Sequence, residues 1–147
     1  MSWTPHATVA TIIVKDNRFL MVEEIAEGKR VLNQPAGHVE QGETFEAAAI
    51  RETLEETGRH VKLTSLVGLY TIEGKTNGVT YHRLCYVAEV VSHDADYVLD
   101  SDIIRTRWLT REELVAQKAS LRSPMVLVCI DDFLDNRCFP LDFVRQL

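Results

Sequence analysis

Apolar positions recur along this chain with two different periods, and the change of period divides it into strands and helices. Residues 7–14 (ATVATIIV) are apolar or β-branched at both parities, the pattern of a strand covered on both faces. A turn at Lys15-Asp16-Asn17 and a second run at 18–23 complete a hairpin. Residues 26–30 read as a polar loop around Gly28, 31–34 as a short strand that Pro35 stops, and 36–38 as a loop. A helix is predicted over 44–57, with Thr44 as its N-cap and Gly58 as its stop. Strand patterns return at 61–72, with a break near Gly68, and at 79–91, separated by a turn or mobile loop over 74–78. In the second of these, Tyr81, Arg83, Cys85, Val87 and Glu89 share one face, and His82, Leu84, Tyr86, Ala88 and Val90 the other.

The rest is polar and acidic over 92–102, then a strand over 103–109 that places Trp108 in the core. Thr110 and Glu113 form a capping box for a short helix to about residue 118. Pro124 opens a last helix to about residue 136. Met125, Val128, Cys129, Ile130 and Phe133 form its core-facing stripe. Strands joined both by hairpins and across a helix imply an α/β chain with a mixed β-sheet between helices.

Composition narrows the class. A chain of 147 residues, 46% hydrophobic and 26% charged, fits one domain spanning 1–147 with a substantial core. No apolar run is long enough for a membrane helix, and the first residues lack the basic start and apolar stretch of a secretory leader. The net charge of −6 argues against a nucleic-acid polymer as partner, which needs a basic face. Cys85, Cys129 and Cys138 are odd in number and widely spaced, so they read as small buried hydrophobes in a cytoplasmic protein.

The helix over 44–57 carries the candidate chemistry. At 100° per residue, Ala47, Ile50 and Leu54 fall on one side, and Glu52, Glu55 and Glu56 on the other beside Arg51. Carboxylates spaced three and four apart repel unless neutralised. Arg51 can pair with Glu55 or Glu43, and a hard divalent cation suits the remaining charge. The bland reading, a solvated acidic face, stays open on composition alone.

The stretch 37–58, GHVEQGETFEAAAIRETLEETG, resembles the Nudix box, G-x5-E-x7-R-E-U-x-E-E-x-G-U with U apolar. Gly37, Glu43, Arg51, Glu52, Glu55, Glu56 and Gly58 fill the fixed positions, while Thr53 and Arg59 stand where apolar residues are expected. Leu54 is then a candidate for part of the packing. The segments 5–14, 33–38, 100–102, 107–108 and 121–124 also resemble a phosphatase group within that family.

The resemblance implies a Nudix α/β/α sandwich with a loop–helix–loop box. It also implies hydrolysis of nucleoside tri- and diphosphates and of thiamine-type (hydroxymethylpyrimidine and thiamine) pyrophosphates. Glu52, Glu55, Glu56 and the Gly37 carbonyl would hold Mg2+, with Mn2+ able to replace it. Glu52 or Glu55 would serve as general base, and Arg51 and Glu43 would orient the carboxylates.

Arg83, Arg122 and His38 are candidate substrate-binding residues, each with an ordinary pairing role as its alternative. Asp100, Asp102 and Glu89 are candidates for one more metal ligand, although the aspartates read better as solvated loop residues. Trp3, Tyr70 and Tyr81 are candidates to stack on a base, with plain packing the better reading. A small phosphorylated substrate, no membrane, and a monomer with a dimer as alternative complete the expectation. The competing readings are a nucleotide-sugar or dinucleoside polyphosphate diphosphatase, and a Nudix-fold sensor that binds without hydrolysis.

Overall fold

The structure, a computed structural model, describes residues 2–147. One four-stranded sheet has the order β5 (Ala36–His38), β1 (His6–Ile12), β7 (Thr80–His93), β6 (Arg59–Glu73). Only β1 and β7 run parallel, with Val9 opposite Leu84 and Ala10 opposite Cys85. In the second sheet β3 (Arg18–Ala26) pairs antiparallel with β2 (Val14–Lys15), β4 (Lys29–Asn33) and β8 (Ile103–Leu109). The expected mixed arrangement of strands with helices is therefore present, divided between two sheets.

Alternation along the strands builds the layers. Val9 and Ile13, Leu20, and Leu84 and Tyr86 point into a core with Ala48 and Ala49 of helix α1 (Phe45–Thr57). Their neighbours Ala10 and Ile12, Phe19 and Met21, and Cys85 point the other way. There they meet Leu114 of α2 (Arg111–Ala116) and Val126, Cys129 and Ile130 of α3 (Met125–Leu134). Each buried Leu, Ile or Val contributes roughly 1.5–3 kcal/mol, so two apolar layers hold the strands between the helices.

Several boundaries differ from the sequence reading for local reasons. The loop over 26–30 is a tight turn: Glu27 and Gly28 both have positive φ, which lets β3 and β4 pair up to Ala26 and Lys29. Residues 36–38 form a strand, because β1 accepts them along its free edge. Strand β6 does not stop at Gly68 but shifts register there, and Leu66 exchanges backbone bonds with Phe139. The helix after Thr110 ends at Ala116 and gives way to a 3-10 turn, Lys118–Ser120.

Three packing expectations are corrected. Val128 of α3 is exposed and Val126 is buried in its place, because the helix presents its 126–130 edge to the sheet. Cys138 is exposed beyond the end of α3, unlike Cys85 and Cys129. On α1 the inward residues are Ala48, Ala49, Thr53, Glu56 and Thr57, whereas Ala47 and Ile50 face out. Small residues let α1 lie close to β1, which larger apolar residues would prevent. Trp108 is half-buried at the edge of the core.

Candidate active site

Helix α1 is held firmly at both ends. Thr44 Oγ1 accepts from Ala47 N at 3.0 Å, and Gly58, at φ 70°, donates to Leu54 O at 2.8 Å. Thr53 fixes its roll: the hydroxyl donates to Ala49 O at 2.8 Å and lies 2.9 Å from Thr11 Oγ1 of β1. These contacts turn the acidic face toward β5 and the loop before β8.

Arg51 gathers that face. Its Nε and Nη2 donate to the two oxygens of Glu43 at 2.7 and 3.0 Å. Nη1 donates to Glu52 at 2.8 Å and to Glu55 at 3.2 Å, and Nη2 also reaches His38 O at 3.0 Å. A planar guanidinium satisfies this fan of acceptors, which an ammonium does not. The bond from Arg51 holds the Glu43 carboxyl below the usual range, and these acids together raise the Arg51 pKa.

A second acidic group comes from far along the chain. Asp100 N donates to Glu55 O at 3.0 Å, and this bond ties the loop to α1. Carboxylate oxygens of Glu52, Glu55 and Asp100 then lie within 4.8 Å of one another. Burial raises the Glu52 carboxyl, with Glu55 and Asp100 adding to the effect. Asp100 is raised by desolvation and then by Glu55, although it is exposed to solvent. Glu56 is buried outside this trio, where Oε1 accepts from Ala36 N at 2.9 Å. Burial pushes its carboxyl well up, and Glu24, Glu52 and Asp100 push it further.

Such a set of oxygen donors, unfavourable as neighbouring anions, fits a hard divalent cation. Gly37 fits it as well, because a Cβ there would run into the Glu52 carboxylate. The glycine lets its backbone approach the donor set closely.

Glu52, Glu56 and Asp100 line a cavity of about 1290 Å³. Arg83 lies buried in its wall, where Nη1 donates to Gln34 Oε1 at 3.1 Å. Arg122 is exposed at the opening and donates to the buried Glu24 at 2.6 Å. His38 Nε2 lies 2.9 Å from His6 Nδ1, and both rings meet Tyr81 edge-on. Burial, aided by His6 and Arg122, lowers the His38 pKa. Trp3 is largely exposed with its edge toward His82, and the Tyr70 hydroxyl donates to Asp132 Oδ2 at 2.8 Å. Glu89 does not join the acids; it lines a different cleft.

The NUDIX domain family model matches residues 4–127. The chain belongs to the Nudix family. It is 35% identical to phosphatase NudJ of Escherichia coli K12 over 95% of this chain and 90% of that one. A solved structure described as a NUDIX hydrolase from Nitrosomonas europaea superposes with a TM-score of 0.96 at 41% identity, covering 98% of each chain. A UDP-X diphosphatase structure, at 16% identity, TM-score 0.75 and coverage of 93% of this chain and 66% of that one, shares the fold. The chain is thus a Nudix hydrolase of phosphoanhydride bonds.

Both departures from the Nudix box have structural consequences. Thr53 substitutes a buried hydroxyl pair for apolar packing, and Arg59 is buried with its guanidinium 5.6 Å from the Trp108 ring centre. Two buried polar residues carried no weight as site residues in the sequence reading: Glu24, which lines the cavity, and Gln34, which accepts from Arg83. Glu24 continues an apolar strand, and Gln34 precedes Pro35; both are almost completely buried. A charged or amide side chain inside an otherwise apolar run was the available signal.

Proposed function

We propose that this Nudix hydrolase is Mg2+-dependent and cleaves nucleoside tri- and diphosphates and thiamine-type pyrophosphates. The observation that carries the reading is the meeting of Glu52, Glu55 and Asp100, of which Glu52 and Asp100 line a cavity large enough for a nucleotide. Similarity to an E. coli protein named phosphatase NudJ supports release of orthophosphate.

Glu52, Glu55 and Asp100 would hold the cation, with Glu56 and the Gly37 carbonyl as further donors. Bound Mg2+, or Mn2+ in its place, supplies charge screening and a water of lowered pKa. Arg51 positions Glu52 and Glu55 and keeps their mutual repulsion in check. Glu52 takes the proton of the attacking water. It is half-buried, and burial raises its carboxyl above the ordinary glutamate value. Arg83 contributes positive charge to the wall, and Gln34 holds its guanidinium in place.

A substrate panel in Mg2+ tests this reading, scored for orthophosphate against pyrophosphate and including hydroxymethylpyrimidine pyrophosphate. Orthophosphate from the nucleotides and the pyrimidine compound is expected. Activity confined to nucleotide sugars or dinucleoside polyphosphates, with nucleoside monophosphate as product, refutes it. The same proposal has the enzyme act as a cytoplasmic monomer. Three free thiols support a reducing compartment, and light scattering after size exclusion checks the monomer.

A further inference from the structure

Strand β1 runs between two cavities. Thr8 lines the active-site cavity, while Ile13, just beyond the other end of the strand, lines a separate cleft of about 880 Å³. Strand β7 does the same, with Arg83 at one cavity and Glu89 and His93 at the other. The two cavities share no residue.

Arg59 is the unusual group in this second cleft. It is only 8% exposed, and its Nη1 donates to Thr57 O at 3.0 Å. No carboxylate lies within 4.0 Å of its guanidinium among the described residues. Asp16 and Glu89 are the acids of the cleft, and neither pairs with it. Burial without an acid partner pushes its pKa down from the ordinary arginine value.

A buried charge with no counter-charge costs several kcal/mol, so an apolar residue would serve packing better at this position. What the arginine adds is a fork of donors suited to a phosphate or carboxylate group. Lys15 and Arg18 bring two more positive charges to the same wall, against an overall charge of −6. Trp108, with Arg59 over its ring, lines the cleft beside them.

We propose that this cleft is a second anion site, which binds a phosphate group through Arg59 with support from Lys15 and Arg18. The phosphate can arrive as the free ion or on a nucleoside monophosphate, for which the cavity has room. The site does not depend on the proposed substrates of the active site.

Trp3 is the only other tryptophan, so a W3F background makes Trp108 the sole indole reporter. With metal-free protein in EDTA, inorganic phosphate and AMP are each titrated against Trp108 fluorescence and thermal stability. Both probes are expected to produce a saturable change; AMP binding more tightly than phosphate assigns contacts to the nucleoside. R59L is expected to weaken binding by roughly tenfold or more, while R83Q leaves it unchanged. Should R59L fail to fold, R59K keeps the charge, loses the fork and is expected to bind several-fold more weakly. Amide shift mapping on the wild-type chain provides a second check, with shifts expected near residues 15–18, 59, 88–93 and 108. The proposal is overturned if neither probe changes the signal, if Arg59 variants bind as well as wild type, or if the shifts map to residues 37–58.

Discussion

Gly37 lies so close to Glu52 that the space a Cβ would occupy is already filled by the Glu52 carboxylate. Backbone of β5 and side chain of α1 are therefore in direct contact beside the acidic cluster. G37A should displace Glu52 while leaving the fold intact, since the strand is otherwise ordinary. A displacement near 1 Å costs on the order of 100-fold in kcat. Steady-state kinetics beside a melting curve checks this, and unimpaired turnover by a folded G37A would show that the contact is dispensable.

Glu55 and Asp100 are joined through backbone as well as through their place in the acidic trio. E55Q should reduce kcat by roughly 100-fold or more with an unchanged melting temperature. D100N should weaken Mg2+ by an amount visible in activity against metal concentration, and removal of metal with EDTA should abolish turnover until Mg2+ is restored. Equal metal dependence of D100N and wild type would remove Asp100 from the ligand set.

Arg51 serves Glu43, Glu52, Glu55 and the His38 carbonyl at the same time. Lysine keeps the charge but cannot satisfy that fan. R51K should therefore raise the metal dissociation constant by about 10–100-fold, the range typical of groups that orient ligands. Calorimetric titration with Mn2+ measures it directly. A wild-type constant would mean the carboxylates need no such clamp.

Thr11 and Thr53 share a buried hydrogen bond across the β1–α1 contact. Since Thr53 gives its proton to Ala49 O, Thr11 is the donor between them. T53V should leave the Thr11 hydroxyl unpaired and cost about 1–3 kcal/mol, whereas T11V/T53V should recover most of that loss. Denaturant unfolding of the two single variants and the double variant closes the cycle. Strict additivity would mean the pair has no coupling.

Glu23 is buried in β3 and bonded to Arg105 at 2.6 Å. That bond, with Arg30 and Arg107 nearby, lowers its carboxyl in the folded state despite the opposing effect of burial. A lowered folded pKa means the unfolded chain binds the proton more readily. The pair therefore stabilises the protein fully above the unfolded glutamate value of about 4.3 and loses effect as pH falls through the folded value. The stability gap between wild type and E23Q should shrink as pH is lowered from 6 toward the acid limit, measured by urea unfolding. A gap that stays constant would contradict the assignment.

Much of the fold was legible because its signals are local. Alternation along residues 79–91 places Cys85 and Val87 against one layer and Leu84, Tyr86 and Ala88 against the other. Thr44, Gly58 and the Thr110–Glu113 pair marked helix ends through caps that act within one turn. The roll of α1 was not legible. A wheel sorts residues by polarity, but close packing against β1 selected small ones, so Thr53 turned inward and Ile50 outward. The strand at 36–38 was hidden for a similar reason, since its partner is an edge of β1 distant in sequence.

By itself the sequence determined that Glu52 and Glu55 stand together on one helix, because a spacing of three is set by helical geometry, whereas Glu56 turned inward to Ala36. It also determined the family, through a complete set of box positions. Only the tertiary structure decided that Asp100 reaches that helix, that Gly37 presses on Glu52, and that Arg59 is buried beside Trp108. Local periodicity orders residues a turn apart. Which distant segments meet depends on strand register and on the packing of whole layers, and the box stretch at 37–58 contains neither.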